Sequence, residues 1–150
     1  MIPVDWQGLK PASHNFFGFI YLITNTLNGR RYVGKKQYWL SRSPRSKRAT
    51  NIRSTKWSPE HWKESDWKRY TGSSKELNKD IGINGLHNFT FEIIGHYTTK
   101  GDLHYAEIEE QVMQNVLKAK DAEGNRLYYN KSIAAIRFIP PNAYHERRDT

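Results

Sequence analysis

Cysteine is absent from all 150 residues, and this excludes disulfide bonds, thiolate nucleophiles and thiolate metal ligands. No apolar run approaches the roughly 20 residues that are needed to cross a bilayer, so we expect no membrane anchor. Residues 1–10 also lack the basic start and apolar core of a signal peptide. These absences are typical of a single compact domain in the reducing cytoplasm.

Several common catalytic and metal-binding patterns are missing as well. The six histidines are scattered singly, without zinc spacing or a His-Asn-His arrangement. No glutamate is followed two positions later by lysine, and no glycine-rich phosphate loop is present. The sequence therefore excludes zinc-site, Glu-x-Lys and Walker-type chemistry.

Positive charge is concentrated in one part of the chain, whose formal net charge is +9. Residues 30–75 hold 14 lysines and arginines against three acidic residues, and the remainder is near neutral. Within them, residues 43–58 have almost no apolar side chains and indicate a basic insertion loop. Such a segment favours a polyanion-binding surface over the alternative, a merely solvated loop. The predicted nucleic-acid contacts are Arg30, Arg31, Lys35, Lys36, Arg45, Lys47, Arg48, Arg53, Lys56, Lys68 and Arg69.

An aromatic hairpin is the most informative local pattern. Residues 19–23 are continuously apolar and predict a buried strand, and Asn28-Gly29 predicts a two-residue turn after it. Because side chains alternate between the faces of a strand, an even-length turn places Tyr21 and Tyr32 on one face. Two phenols among nearby cations could hold and attack a phosphodiester. The alternative is an ordinary aromatic sheet core.

This hairpin resembles the GIY-YIG endonuclease family. The matching motifs are Ile20-Tyr21, Asn25-Thr26-Leu27-Asn28 and Tyr32-Val33-Gly34. The segment 67–75 is similar to one in phage-type members, and the whole resemblance covers about residues 18–130. The chain departs from the family at its first glycine, where Phe19 follows Gly18. The resemblance implies a domain of the phage and homing endonuclease branch.

The resemblance implies two catalytic side chains besides the phenols. Arg42 matches the family arginine that grips a phosphate, the alternative being a surface arginine. Glu109 matches the metal-binding glutamate, the alternative being a buried ion pair. On a helical wheel Glu109 is central to an apolar face predicted to meet the sheet, whereas Glu107 and Glu110 point more toward solvent. That face consists of Tyr105, Ala106, Val112, Met113, Val116 and Leu117.

Two supporting roles follow from the same resemblance. Asn130 matches an asparagine that helps to order the family's site. Some members also carry a functional histidine near residues 67–75, but this chain has none between His61 and His87. That role is either vacant or belongs to Tyr70, His61 or Lys35.

The pattern and the resemblance together predict a small α+β fold, a three-stranded and mainly antiparallel sheet flanked by helices. Residues 1–16 are expected to form an extension, 17–135 the nuclease-like domain with its insertion at 43–58, and 136–150 a polar tail. A third strand is predicted at Phe89–Tyr97. Helices are predicted at His61–Lys68, at Lys75–Ile81 after a Ser73-Ser74 cap, and at Leu103–Lys118 after Gly101-Asp102.

By analogy, the predicted function is metal-dependent hydrolysis of DNA phosphodiesters with Mg²⁺ or Mn²⁺. Glu109 would hold the ion, Arg42 the phosphate, and Tyr21 or Tyr32 would activate water with a phenol pKa lowered by cations. A non-catalytic DNA-binding module and an RNA-binding or RNA-cleaving protein are the alternatives. The expected partner is duplex DNA, with no membrane, in the cytoplasm of a phage-infected or bacterial cell. A homo-oligomer is also expected, with an interface at Trp57, Trp62 and Trp67.

Overall fold

The computed structural model describes residues 2–41 and 62–148. The predicted insertion therefore lies outside the described residues, together with Arg42, Arg45, Lys47, Arg48, Arg53, Lys56, Trp57 and His61. The described elements are β1 (Trp6–Gly8), β2 (Gly18–Asn25), β3 (Arg31–Gln37), β4 (Trp39–Ser41), β5 (Trp62–Glu64), α1 (Lys75–Asn84), β6 (Phe89–Tyr97), α2 (Lys100–Met113) and β7 (His145–Arg147). Short 3-10 helices lie at Trp67–Arg69 and Leu86–Asn88.

The main sheet confirms the α+β class, but among the described residues it has five strands instead of three. Its order is β1-β6-β2-β3, and β7 also pairs with β6. β1 runs parallel to residues 91–93 of β6, and β7 runs antiparallel to residues 95–97. The expected extension and the expected tail thus each add one strand. Their three-residue strands are too short to show an alternating pattern in the sequence.

The central hairpin has a different register from the predicted one but the same facing. Asn25 donates its backbone N–H to the Arg30 carbonyl at 2.8 Å, so the turn is four residues long and not two. Tyr21 then pairs with Gly34, and Tyr32 pairs with Ile23. The register moves by two residues, and a shift of two keeps every side chain on its original face. The prediction that Tyr21 and Tyr32 share a face is confirmed.

The two parts of the chain next to the undescribed segment are extended. β4 and β5 pair with each other in a separate ladder, where Ser41 lies opposite Trp62. The helix predicted at His61–Lys68 is therefore wrong, and β5 and a single 3-10 turn occupy its described part. Trp62 and Trp67 are only 4% and 8% exposed, so they pack in the core and do not offer the exposed interface that we expected.

Helix α1 begins as the sequence predicts. Ser74 is its N-cap, and the Ser74 hydroxyl accepts a hydrogen bond from the Leu77 N–H at 3.2 Å. The helix runs to Asn84 and stops at Gly85, whose φ of +89° favours glycine. Leu77 is fully buried and anchors α1 against the sheet face that carries Tyr21.

Helix α2 covers the opposite face of the sheet. Thr99 is its N-cap and accepts from the Asp102 N–H at 3.1 Å, so the helix begins before the Gly101-Asp102 cap that we predicted. Leu103 and Ala106 pack against Ile20 and Val33. Gly18 permits this approach, because a Cβ built on it would lie 2.7 Å from Leu103 Cδ2.

Within the described residues, neither helix has the length and apolar character needed to span a bilayer.

We predict that Ser74→Ala lowers the free energy of unfolding by about 1 kcal/mol, because a helix N-cap is lost. Chemical denaturation monitored by circular dichroism measures this change. Ser132→Ala is the matched control: Ser132 is exposed and lies outside the helices, so its variant should unfold close to the wild-type midpoint. Equal losses in both variants would contradict the cap assignment.

Candidate active site

The two phenols of the hairpin lie side by side above a glycine. The ring centroids of Tyr21 and Tyr32 are 6.2 Å apart. Gly34 lies directly opposite Tyr21 in the ladder, and a Cβ built on Gly34 would stand 2.6 Å from Tyr21 Cζ. The absence of a side chain at this position lets the Tyr21 ring lie across β3. Gly34 of the Tyr32-Val33-Gly34 motif thus allows the Tyr21 hydroxyl to lie over the backbone of β3.

A set of hydroxyl groups joins these phenols to the start of α1. The Tyr21 and Tyr70 rings meet edge to face with centroids 6.0 Å apart. The polar groups of Tyr21, Tyr70 and Ser73 are close enough to affect the tyrosine pKa values. The Ser73 hydroxyl in turn lies 3.1 Å from the Tyr32 hydroxyl. Gly72 lies in contact range of the Tyr21 hydroxyl, and its φ of +83° favours glycine at this turn. These hydroxyl groups therefore lie close together at the start of α1.

Burial raises the pKa of Tyr21 well above its usual value, and the neighbouring Tyr70 and Tyr32 raise it further. The side chain is only 1% exposed. Our expectation that cations lower this pKa is wrong for Tyr21, because the predicted cations point elsewhere. Tyr21 stays a neutral phenol that donates and accepts hydrogen bonds.

The outer edge of β3 is closed by polar side chains and not by another regular strand. The Val33 N–H donates to Asn130 Oδ1 at 3.0 Å, and the Val33 carbonyl accepts from Asn130 Nδ2 at 2.8 Å. Gln111 of α2 also donates to that carbonyl, at 3.0 Å. Asn130 is 4% exposed, and its side chain holds both backbone groups of Val33 in the hairpin.

Glu107, one turn before Gln111 on α2, lies at the same edge. The backbone N–H of Lys35 interacts with its carboxylate, and Glu107 lies close enough to Tyr21 to raise the pKa of that phenol. Burial raises the pKa of Glu107 above its ordinary value, although Lys35 and His104 favour its charged form. A carboxylate whose pKa is raised by burial thus lies near Lys35 and within electrostatic reach of Tyr21.

The predicted orientation of α2 is wrong. Glu109 is exposed and lines a cavity of about 440 Å³ with Tyr97 and His145, away from the phenols. Val112 and Met113 are more than 60% exposed, at 61% and 63%. The face turned toward β3 carries Glu107 and Gln111 instead, because the free backbone groups of an edge strand need polar partners.

The described cations that we predicted to contact nucleic acid divide into two groups. Arg31, Lys68 and Arg69 are exposed. The others are engaged within the protein: Lys35 Nζ lies 2.7 Å from His104 Nδ1, Lys36 Nζ lies 2.6 Å from Asp66 Oδ1 and 3.9 Å from the Tyr70 ring centroid, and Arg30 Nη1 lies 2.8 Å from Glu76 Oε1. Burial also lowers the pKa of Lys35.

Sequence reasoning missed three residues of this site: Glu107, Gln111 and His104. His104, Glu107 and Gln111 lie at i, i+3 and i+7, the spacing of a single helix face, a signal that was available in the sequence. Because Val112 and Met113 are apolar, the helical wheel predicted that their side of α2 faces inward, but both residues are exposed. A polar stripe of this spacing beside a predicted edge strand is the pattern that would have found them.

A comparison with protein-family models matches residues 6–133 to the model described as "Putative endonuclease segE, GIY-YIG domain". The chain belongs to the GIY-YIG endonuclease family. No curated protein and no solved structure matches the chain in the corresponding searches. The family match covers the hairpin, α1, the β3 edge and Glu107, so the residues brought together here form the core of a nuclease-family domain.

We predict opposite effects for two glycine-to-alanine changes. Gly34→Ala forces the Tyr21 ring to move and should destabilise the protein by roughly 1–3 kcal/mol, as overpacking does. Gly82→Ala lies in α1 with open space around its Cβ and should stabilise the protein by up to about 1 kcal/mol. Thermal and chemical unfolding of both variants test this pair. A stabilised Gly34→Ala would show that the phenol does not lie across β3.

Proposed function

We propose that this GIY-YIG domain is a DNA endonuclease that hydrolyses phosphodiester bonds with the help of Mg²⁺ or Mn²⁺. The Tyr21–Tyr32 phenol pair, together with the Glu107 carboxylate that lies near Lys35 and Tyr21, carries this proposal. The family match supports the nuclease class. Duplex DNA is the proposed substrate, and the excess of positive charge on the chain favours a polyanion.

The donor set at this edge fits a hydrated divalent ion. Mg²⁺ commonly takes only one or two protein carboxylates and completes its shell with water and substrate phosphate oxygens. Glu107 offers one such carboxylate, and burial leaves its negative charge incompletely compensated. Across residues 2–41 and 62–148, no group of three or more histidine and acidic side chains could form an all-protein cage. Glu107 is therefore the proposed ligand in place of Glu109.

The bound ion would polarise the phosphate and stabilise the leaving oxygen. The protein's own residues then have separate tasks. Tyr32 is the half-buried phenol of the pair, and we assign to it the contact with the attacking water or the phosphate. Tyr21 is buried behind it and positions the hydroxyl set through Tyr70. Tyr70 itself is held by Lys36, and it takes the supporting place that the missing histidine leaves open.

Incubation with supercoiled plasmid, with and without Mg²⁺, is the experiment that tests the proposed function. Nicked or linear DNA that forms only with the ion supports it. Binding of duplex DNA without any cleavage would favour the non-catalytic module instead. Preferential binding or cleavage of structured RNA in a competition assay would favour the RNA alternative. By resemblance to the family, Arg42 is the residue proposed to hold the phosphate. The variant Arg42→Ala is tested in the same plasmid assay.

The choice between two glutamates gives a direct prediction. Glu107→Gln should abolish cleavage and keep DNA binding. Its thermal stability should equal or exceed that of the wild type, because a carboxylate with a pKa raised by burial opposes folding when it is charged. Glu109→Gln is the matched control on the exposed side of α2 and should cleave normally. A dead Glu109→Gln beside an active Glu107→Gln would overturn the assignment.

The two tyrosines should also differ. Tyr32→Phe should lower the single-turnover cleavage rate by at least about 100-fold, as loss of a general acid–base group does, with little change in DNA affinity. Tyr21→Phe should cause a smaller loss, because its hydroxyl acts through Tyr70. The order of the two rates decides the point, and a slower Tyr21→Phe would assign the substrate contact to Tyr21.

A further inference from the structure

A groove of about 310 Å³ opens directly beside Tyr32. We call it the Lys131 groove, and its lining includes Tyr32, Ser73, Lys75, Glu76, Lys131 and Ser132. It lies between the start of α1 and the segment that follows Asn130. None of the roles assigned so far uses Lys131 or Ser132.

The charges around the groove favour an anion. The Lys131 side chain is 71% exposed, and its ammonium lies 3.5 Å from Glu76 Oε2. Glu76 is the carboxylate of the groove lining, and it already receives a hydrogen bond from Arg30 at 2.8 Å. Since Arg30 neutralises Glu76, the charges of Lys75 and Lys131 remain available to a ligand.

The groove is also continuous with the proposed reaction centre. Ser73 lines it, and the Ser73 hydroxyl lies 3.1 Å from the Tyr32 hydroxyl. A polynucleotide held at Tyr32 must continue past this phenol in both directions, and its neighbouring phosphates need cationic or hydroxyl partners. The groove supplies both kinds of partner on one side of Tyr32.

We infer that the Lys131 groove binds a backbone phosphate that flanks the phosphodiester at Tyr32, with Lys131 and Ser73 as its principal partners. The location of this subsite rests on the proposed function, but the binding itself does not require cleavage. Loss of Lys131 should leave the fold intact, because Glu76 keeps its bond to Arg30.

The first experiment measures binding of a short fluorescein-labelled DNA duplex by anisotropy over a range of salt concentrations, with Ca²⁺ in place of Mg²⁺. In Lys131→Gln the slope of log K against log salt should fall by about 0.9 units, the value for one lost phosphate contact. Lys131→Arg should keep the wild-type slope. Lys10→Gln is the matched charge control, because Lys10 is exposed beside Glu146 and away from the groove, and its slope should not change.

An unchanged slope in Lys131→Gln, or an equal fall in Lys10→Gln, would overturn the inference. A reduced slope together with an uncut plasmid would leave the subsite standing and remove the nuclease proposal, so the two failures are distinguishable. A second experiment uses duplexes with a single neutral methylphosphonate linkage at successive positions. At one position of the neutral linkage, the wild-type protein should bind more weakly than it binds the unmodified duplex. Lys131→Gln should bind the duplex with that linkage and the unmodified duplex equally well. Equal sensitivity of both proteins at every linkage would contradict the groove.

Discussion

The free edge of β3 is the constraint on which the site depends. A strand at the end of a sheet presents unpaired N–H and carbonyl groups, and these must find partners or reach water. Here the backbone groups of Arg31 bond to those of Leu127 and Tyr129. The backbone groups of Val33 bond to the side chains of Asn130 and Gln111. The Glu107 carboxylate lies near the backbone of Lys35. Residues 127–130 and helix α2, which are distant from β3 in sequence, thereby lie along the same strand edge. The carboxylate reaches the hairpin because the hairpin edge needs acceptors as well as donors.

Glycine decides which side of the edge the phenol occupies. The Tyr21 ring belongs to the α1 face of the sheet, whereas Glu107 comes from α2 on the other face. Since Gly34 has no side chain, the ring lies across the strand and its hydroxyl approaches the edge where Glu107 stands. The site is thus built around the rim of the sheet, from residues on both of its faces.

The limits of sequence prediction are clear from particular elements. The shared face of Tyr21 and Tyr32 could be predicted because it depends only on the parity of the register, so an error of two residues in the turn was harmless. The strand at Phe89–Tyr97 and the start of α1 followed from alternation and from a capping serine. These signals are local, and each lies within a few residues of the element it specifies.

The orientation of α2 could not be predicted from its own sequence. A helical wheel assumes that apolar residues face inward, yet Val112 and Met113 are exposed while Gln111 is 5% exposed. The deciding influence is the hydrogen-bonding demand of β3, whose Val33 lies 78 residues before Gln111 in the chain. The short β1 and β7 were missed for a related reason: a three-residue strand is defined by its partner and not by its own pattern.

The β4–β5 ladder has a consequence for how this domain tolerates changes in length. Ser41 and Trp62 are held opposite each other, so the two ends of the intervening 20 residues meet at a fixed point outside the main sheet. Closing a longer loop costs little additional entropy once its ends are joined. Sequence inserted at this position is therefore expected to cost the fold little, because the β4–β5 pairing already joins the two ends. This position is the natural place to graft a reporter or a foreign DNA-recognition module onto this scaffold.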